Sequence, residues 1–82
     1  MTLQFYQQVV LRRDLDGQGL KRGDVATLVD LVPHPGEGPT GCVLEVFNAL
    51  GESIAVVVVP ESDVEPLRAD EVWSVRQLTL AG

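Results

Sequence analysis

An all-β fold, a small barrel of five short strands, is what this sequence predicts, and three observations carry it. Turn-forming clusters recur at short intervals, from Asp16-Gly17-Gln18-Gly19 through Pro33-His34-Pro35-Gly36 and Asn48-Ala49-Leu50-Gly51 to Pro60. The runs between them are rich in β-branched residues, most plainly Ile54-Ala55-Val56-Val57-Val58-Val59. Finally, Gly19-Leu20-Lys21-Arg22-Gly23 brings the chain through a tight basic loop into Asp24-Val25-Ala26-Thr27-Leu28-Val29. Glycine adopts positive φ without steric cost, so two glycines flanking such a loop mark a sharp entry into a strand.

The strands are expected at Gln8–Arg12, Asp24–Val32, Gly41–Asn48, Ser53–Val59 and Val64–Arg68. The third and fourth read as a hairpin about Asn48–Gly51. A four-residue turn there sets Phe47 opposite Glu52, Val46 opposite Ser53, Leu44 opposite Ala55 and Val43 opposite Val56. Pro60 lacks a ladder donor and ends the fourth strand, and one 3₁₀ turn is expected after it. The tail from Ala69 to Gly82 is open to two readings: a helix capped by Asp70 and starting at Glu71, or a sixth strand through Val72-Trp73-Ser74-Val75. The whole chain, 1–82, reads as one domain with a core over about 8–68 and a C-terminal extension over 69–82.

Side chains alternate between the two faces of a strand. The hairpin therefore sends Cys42, Leu44, Val46, Ala55, Val57 and Val59 to one side. Val43, Phe47, Ile54, Val56 and Val58 go to the other, interrupted only by Glu45 and Glu52. Both faces are apolar, and a barrel this small has room inside for one. Exposed apolar patches beyond a few hundred Å² mark contacts, so the second face calls for a cover: either the tail, which offers Val72, Trp73, Val75, Leu78 and Leu80, or another protein chain.

The apolar share of 45% is ordinary for a folded domain, although 82 residues bury only about 60–65% of their unfolded surface and leave a thin core. Cys42 is the one cysteine, which rules out an internal disulfide and a multi-cysteine metal site. The start of the chain lacks the basic and apolar stretches of a signal peptide, and no apolar run nears the roughly 20 residues of a membrane helix. A cytoplasmic location is the expectation. Net charge is −6, with +2 over residues 1–22 and −8 beyond. So acidic a chain repels phosphate backbones, and a nucleic acid would have to be met by one local edge.

The order of these elements resembles the SH3-like barrel, with Val56 to Leu67 as its last long strand, 3₁₀ turn and final short strand. The Gly19–Leu31 segment is similar to the loop and strand of KOW-type barrels, except that Ala26 stands where a second glycine is common. Over about Gln8–Leu78 the chain resembles a family of short uncharacterised bacterial proteins, known only as a domain of unknown function. The residues that carry the likeness are Gly19, Leu20, Gly23, Asp24, Val25, Thr27 and Val29, then Glu45, Val46, Gly51, Glu52, Ala55, Val57, Pro66 and Leu67. This resemblance implies a barrel that accompanies other proteins, and a more distant likeness to the barrel of nitrile hydratase β subunits and their activators implies the same. It brings no activity with it.

No catalytic constellation can be assembled, and neither enzyme activity, a cofactor, a metal nor a small-molecule substrate is expected. His34 has only Asp30 and Glu37 nearby and no second histidine, so a solvated loop residue is the simplest reading. Cys42 lies on the core side of its strand, as an inert buried thiol would. Asp14-Leu15-Asp16-Gly17 faintly echoes a calcium loop without its later ligands, and Asp24 is expected to bond the backbone of its own turn. Gly17, Gly19 and Gly23 have neither the spacing nor the following helix of a phosphate cradle.

Two binding surfaces are left. Val43, Phe47, Ile54, Val56, Val58 and Trp73 form the candidate protein interface, with Trp73 either packing on the hairpin or anchoring a partner. Arg12, Arg13, Lys21 and Arg22 form the alternative, a small basic edge for RNA, without the interleaved aromatics that stack bases. The expected function is a non-enzymatic interaction module that binds a protein partner or a second copy of itself.

Overall fold

The computed structural model describes residues 4–33, 36 and 38–78. Within them the chain forms β1 (Gln8–Leu11), β2 (Val25–Val32), β3 (Gly41–Phe47), β4 (Ser53–Pro60) and β5 (Val64–Pro66). Each strand falls within two residues of where turn chemistry and β-branching set it. Two 3₁₀ turns interrupt them, at Asp16–Gln18 and Glu61–Asp63. The second is the turn expected after Pro60. The first was not expected; there Gly19 takes a left-handed conformation and its N–H bonds back to the Asp16 carbonyl.

All five strands join one antiparallel sheet in the order β4-β3-β2-β1-β5. The sheet is open: β4 and β5 are its edges, and among the described residues no ladder joins them. One face holds the whole core, which is built from Val9, Leu11, Leu20, Ala26, Leu28, Cys42, Leu44, Val46, Val57, Val59 and Val64. No helix covers that face among the described residues, so the sheet must curl upon itself to bury it. Ala26, which stands where a glycine is common in KOW-type barrels, is part of this core.

The hairpin register differs from the expected one. Leu44 faces Val57 instead of Ala55, and Val43 faces Val58 instead of Val56. The cause lies at the turn. Asn48 pairs with Glu52 through the bond from the Asn48 N–H to the Glu52 carbonyl, Gly51 is left-handed at φ 82°, and the register slips again between Val46 and Phe47. These irregularities take up extra residues on the β4 side, as bulges do. The net slip over most of the ladder is two residues, and an even slip preserves which face each side chain occupies. The expected division into an inner and an outer face therefore survives the error in pairing.

Over its described residues, 69–78, the tail takes neither of the expected forms. The chain turns at Ala69-Asp70, where Glu71 accepts a hydrogen bond from the Arg68 N–H at 2.7 Å, and residues 71–78 have no helix or strand.

Candidate functional site

β3 and β4 present the outer face. Val43 stands opposite Val58 and Glu45 opposite Val56, with Ile54 and Phe47 toward the turn. Val43 is half-buried by its neighbours. The others are open to solvent: Ile54 is 39% exposed, Phe47 43%, Val56 61% and Val58 62%. Contrary to one of the two expectations, the described part of the tail, residues 69–78, leaves Val56 and Val58 open. It runs instead toward the β1–β2 side, and a groove of about 750 Å³ there is lined by Val10, Val25, Phe47, Ile54, Trp73 and Val75. Trp73 thus shares a concavity with Phe47 and Ile54 and is itself 71% exposed. The structure brings Phe47, Ile54 and Trp73 together at this groove, and Val43, Val56 and Val58 together on the sheet beside it.

The tail is fixed by Arg76, which sequence reasoning passed over. Its Nε donates to Asp24 Oδ1 at 2.9 Å, its Nη2 to Asp24 Oδ2, and Nη2 also to the Gly19 carbonyl at 3.0 Å. Asp24 serves its own turn as well, as expected: Oδ2 accepts from the Lys21 N–H at 2.8 Å, and Gly23 in the turn has φ 95°. Partial burial pushes the Asp24 carboxyl up. The hydrogen bonds from Arg76 and the Lys21 backbone, together with the charges of both residues, outweigh that and hold it below its ordinary value. The only sequence signal for this link was that Arg76 is the one basic residue of the tail, residues 69–82.

Three of the four candidate basic side chains face a carboxylate. Arg12 pairs with Glu65, Arg13 with Asp63 at 3.6 Å and Lys21 with Asp16 at 3.8 Å. The Arg22 N–H donates to Asp14 Oδ1 at 2.8 Å, which gives Asp14 a structural partner. Cys42 is fully buried, and burial followed by the charge of Glu61 raises its thiol above the ordinary value. His34 lies outside the described residues. Among those described, no cluster of three or more His, Cys, Asp or Glu residues could hold a metal ion, and no helix is long and apolar enough to cross a membrane.

The architecture therefore defines a class: a small all-β domain whose exposed features are an apolar sheet face and a tethered tail. The chain belongs to the family described as Domain of unknown function (DUF4926), whose pattern matches residues 5–66. The match covers all five strands and stops before the tail. No curated protein and no solved structure matches the chain.

Proposed function

We propose that this domain is a non-enzymatic protein-interaction module that docks through the outer face of the β3–β4 hairpin, with the tail groove and Trp73 beside it. One observation carries this: Phe47, Ile54, Val56 and Val58 lie exposed on a single sheet face, and the described tail residues 69–78 leave them so. Such a strip is costly to hydrate, and burying it yields about 25 cal/mol per Å² before ordering costs. Tryptophan beside it is the residue type most enriched at binding hot spots. The SH3-like order of elements and the likeness to accessory-subunit barrels support the same role, and an acidic chain fits a cytoplasmic one.

The RNA reading loses support from the ion pairs, because Arg12, Arg13 and Lys21 each face a carboxylate. Phosphates would have to displace those acids before any counterion release could be gained.

The test is capture of the tagged chain from its native cells, with its mass measured in solution alongside. A contact of fixed stoichiometry is expected, with a partner or with itself. It should be lost in Val56→Asp and weakened in Phe47→Asp while far-ultraviolet circular dichroism stays that of the native fold. A chain that forms no such contact overturns the proposal, as does a Val56→Asp variant that unfolds, since that would make this face ordinary core.

A further inference from the structure

The exposed edge of the sheet narrows the partner. Among the described residues β4 pairs only with β3, so its other side carries unpaired main-chain groups. The Glu61 N–H donates to the Thr40 carbonyl in register with the Gly41–Pro60 pair, which fixes the phase of the ladder. In an antiparallel pair, residues alternate between exchanging both bonds with the partner strand and directing both groups away. Val57 and Val59 therefore bond to β3, and Val56 and Val58 direct N–H and C=O outward. Toward the turn the register slip between Val46 and Phe47 breaks the regular edge, and at the far end Pro60 has no N–H. The regular open edge runs from Ala55 to Val59, and its outward donors lie symmetrically about Val57.

We infer that this edge pairs with the same edge of a second copy, antiparallel about a twofold axis through Val57, with Val56 opposite Val58 of the second copy. The inference rests on the interaction role proposed above and commits that role to self-association. In this register every outward donor of the regular edge meets an acceptor, the self-complementary geometry an isologous contact requires. The side chains agree with the main chain: Val56 and Val58 are 61% and 62% exposed, and the register gathers them from both copies into one valine cluster on the continuous outer face. Charge selects the same place. The chain carries −6, so two copies repel each other over most of their surface, but β4 has no charged side chain. The other edge, β5, is three residues long and bears Glu65, already paired with Arg12. Natural edges are guarded by charge, proline or bulges. Here proline and bulge guard only the ends of β4 and leave its middle open.

A contact between two short edges and four valines falls below the roughly 1,200 Å² of a standard interface, so the equilibrium is weak and concentration-dependent. Its flanks bring Glu52 of each copy toward Glu61 of the other, so salt should strengthen it.

The experiment is analytical ultracentrifugation of the full chain from micromolar to millimolar concentration, at low and high salt, with amide hydrogen exchange read by NMR. The expected result is a shift from monomer to dimer, favoured by salt, with the Val56 and Val58 amides gaining at least tenfold protection as the dimer forms. Val56→Pro removes an outward donor without touching the β3 ladder, a position where an edge strand tolerates proline. It should be monomeric throughout with native circular dichroism. Val58→Lys should be monomeric too, and it serves if the proline variant fails to fold. A wild-type chain that stays monomeric at millimolar concentration overturns the inference, as does a dimer in which the Val56 and Val58 amides exchange freely. A monomer that nevertheless holds a foreign partner through Val56 and Phe47 overturns self-pairing alone and leaves the interaction role standing.

Discussion

Arg76 and Asp24, 52 residues apart in sequence, are joined by a forked charge-assisted pair that ties the C-terminal tail to the turn before β2. The turn is prepared for it. Gly23 allows the tight reversal, the Lys21 N–H fixes one carboxylate oxygen, and the Gly19 carbonyl stands where the second arm of the guanidinium arrives. A planar fork matches a carboxylate in a way a point charge cannot. Val72, Trp73 and Val75 are mostly exposed, so this polar anchor does more to place the tail than apolar packing does.

Arg76→Ala should therefore free the tail and leave the sheet intact. Chymotryptic cleavage at Trp73 is expected to accelerate several-fold, while hydrogen exchange in β1 to β5 stays unchanged. Arg76→Lys should restore only part of the protection, because the bidentate geometry is lost. Equal cleavage in all three proteins would show that the tail is held by something else.

The same pair sets a pH dependence. The folded Asp24 carboxyl titrates below its reference value of 3.8. A depressed acid pKa contributes stability that is present above the unfolded value and lost as pH falls through the folded one. The tail should stay anchored at pH 5 and detach in acid below about pH 3.8. NMR titration of the Asp24 carboxyl and of the Trp73 indole signal reads this directly. Arg76→Ala should move the Asp24 midpoint upward, and a midpoint unmoved by that substitution would exclude the anchor.

Most of the sheet was legible because its signals are local. Pro60 lacks a donor, glycines mark turns, and β-branched valine runs fit a pleated, half-buried strand. The sorting of Cys42, Leu44 and Val57 to the core was legible for a further reason: period-two alternation is insensitive to an even slip of register. The pairing of Leu44 with Val57 was not, because it depends on how many residues the turn and bulge absorb at Asn48–Glu52 and Ile54. The tail was illegible for the opposite reason. Val72-Trp73-Ser74-Val75 suits a strand, but a strand needs an edge to join, and here a distant ion pair settles the path. Of the candidate interface, the exposure of Val56 and Val58 followed from alternation, while the meeting of Phe47, Ile54 and Trp73 at one groove required the fold. The ion pairs of the basic edge were not legible, because the partners Glu65 and Asp63 lie some fifty residues beyond Arg12 and Arg13.

Two neighbours on β3 and β4 should separate core from surface. Leu44 is fully buried, so Leu44→Ala should cost about 2–5 kcal/mol by lost transfer energy and the cavity left behind. Val58 is mostly exposed, so Val58→Ala should change stability by no more than about 0.5–1 kcal/mol in dilute monomer. Urea unfolding at low micromolar concentration measures both. A Val58→Ala loss as large as that of Leu44→Ala would place the outer face within the core.

The hairpin turn offers the sharpest test of local geometry. Asn48 Oδ1 accepts from the N–H groups of Leu50 and Glu52, each at 2.9 Å, and its Nδ2 reaches Glu52 Oε1. The chain can close this way because Gly51 turns left-handed at φ 82°. Gly51→Ala meets open space, so its penalty is purely conformational, about 1–2 kcal/mol. Asn48→Ala should cost a similar amount by leaving two turn amides to water. Gly17 supplies the control: it also has open space around it but no positive φ, so Gly17→Ala should be neutral or stabilising by up to about 1 kcal/mol. Denaturant midpoints for the three variants give the comparison. Because β4 takes its register from this turn, Gly51→Ala should also speed amide exchange at Ala55 and Val57 more than in β1. A uniform change across the sheet would mean that the turn does not set the pairing.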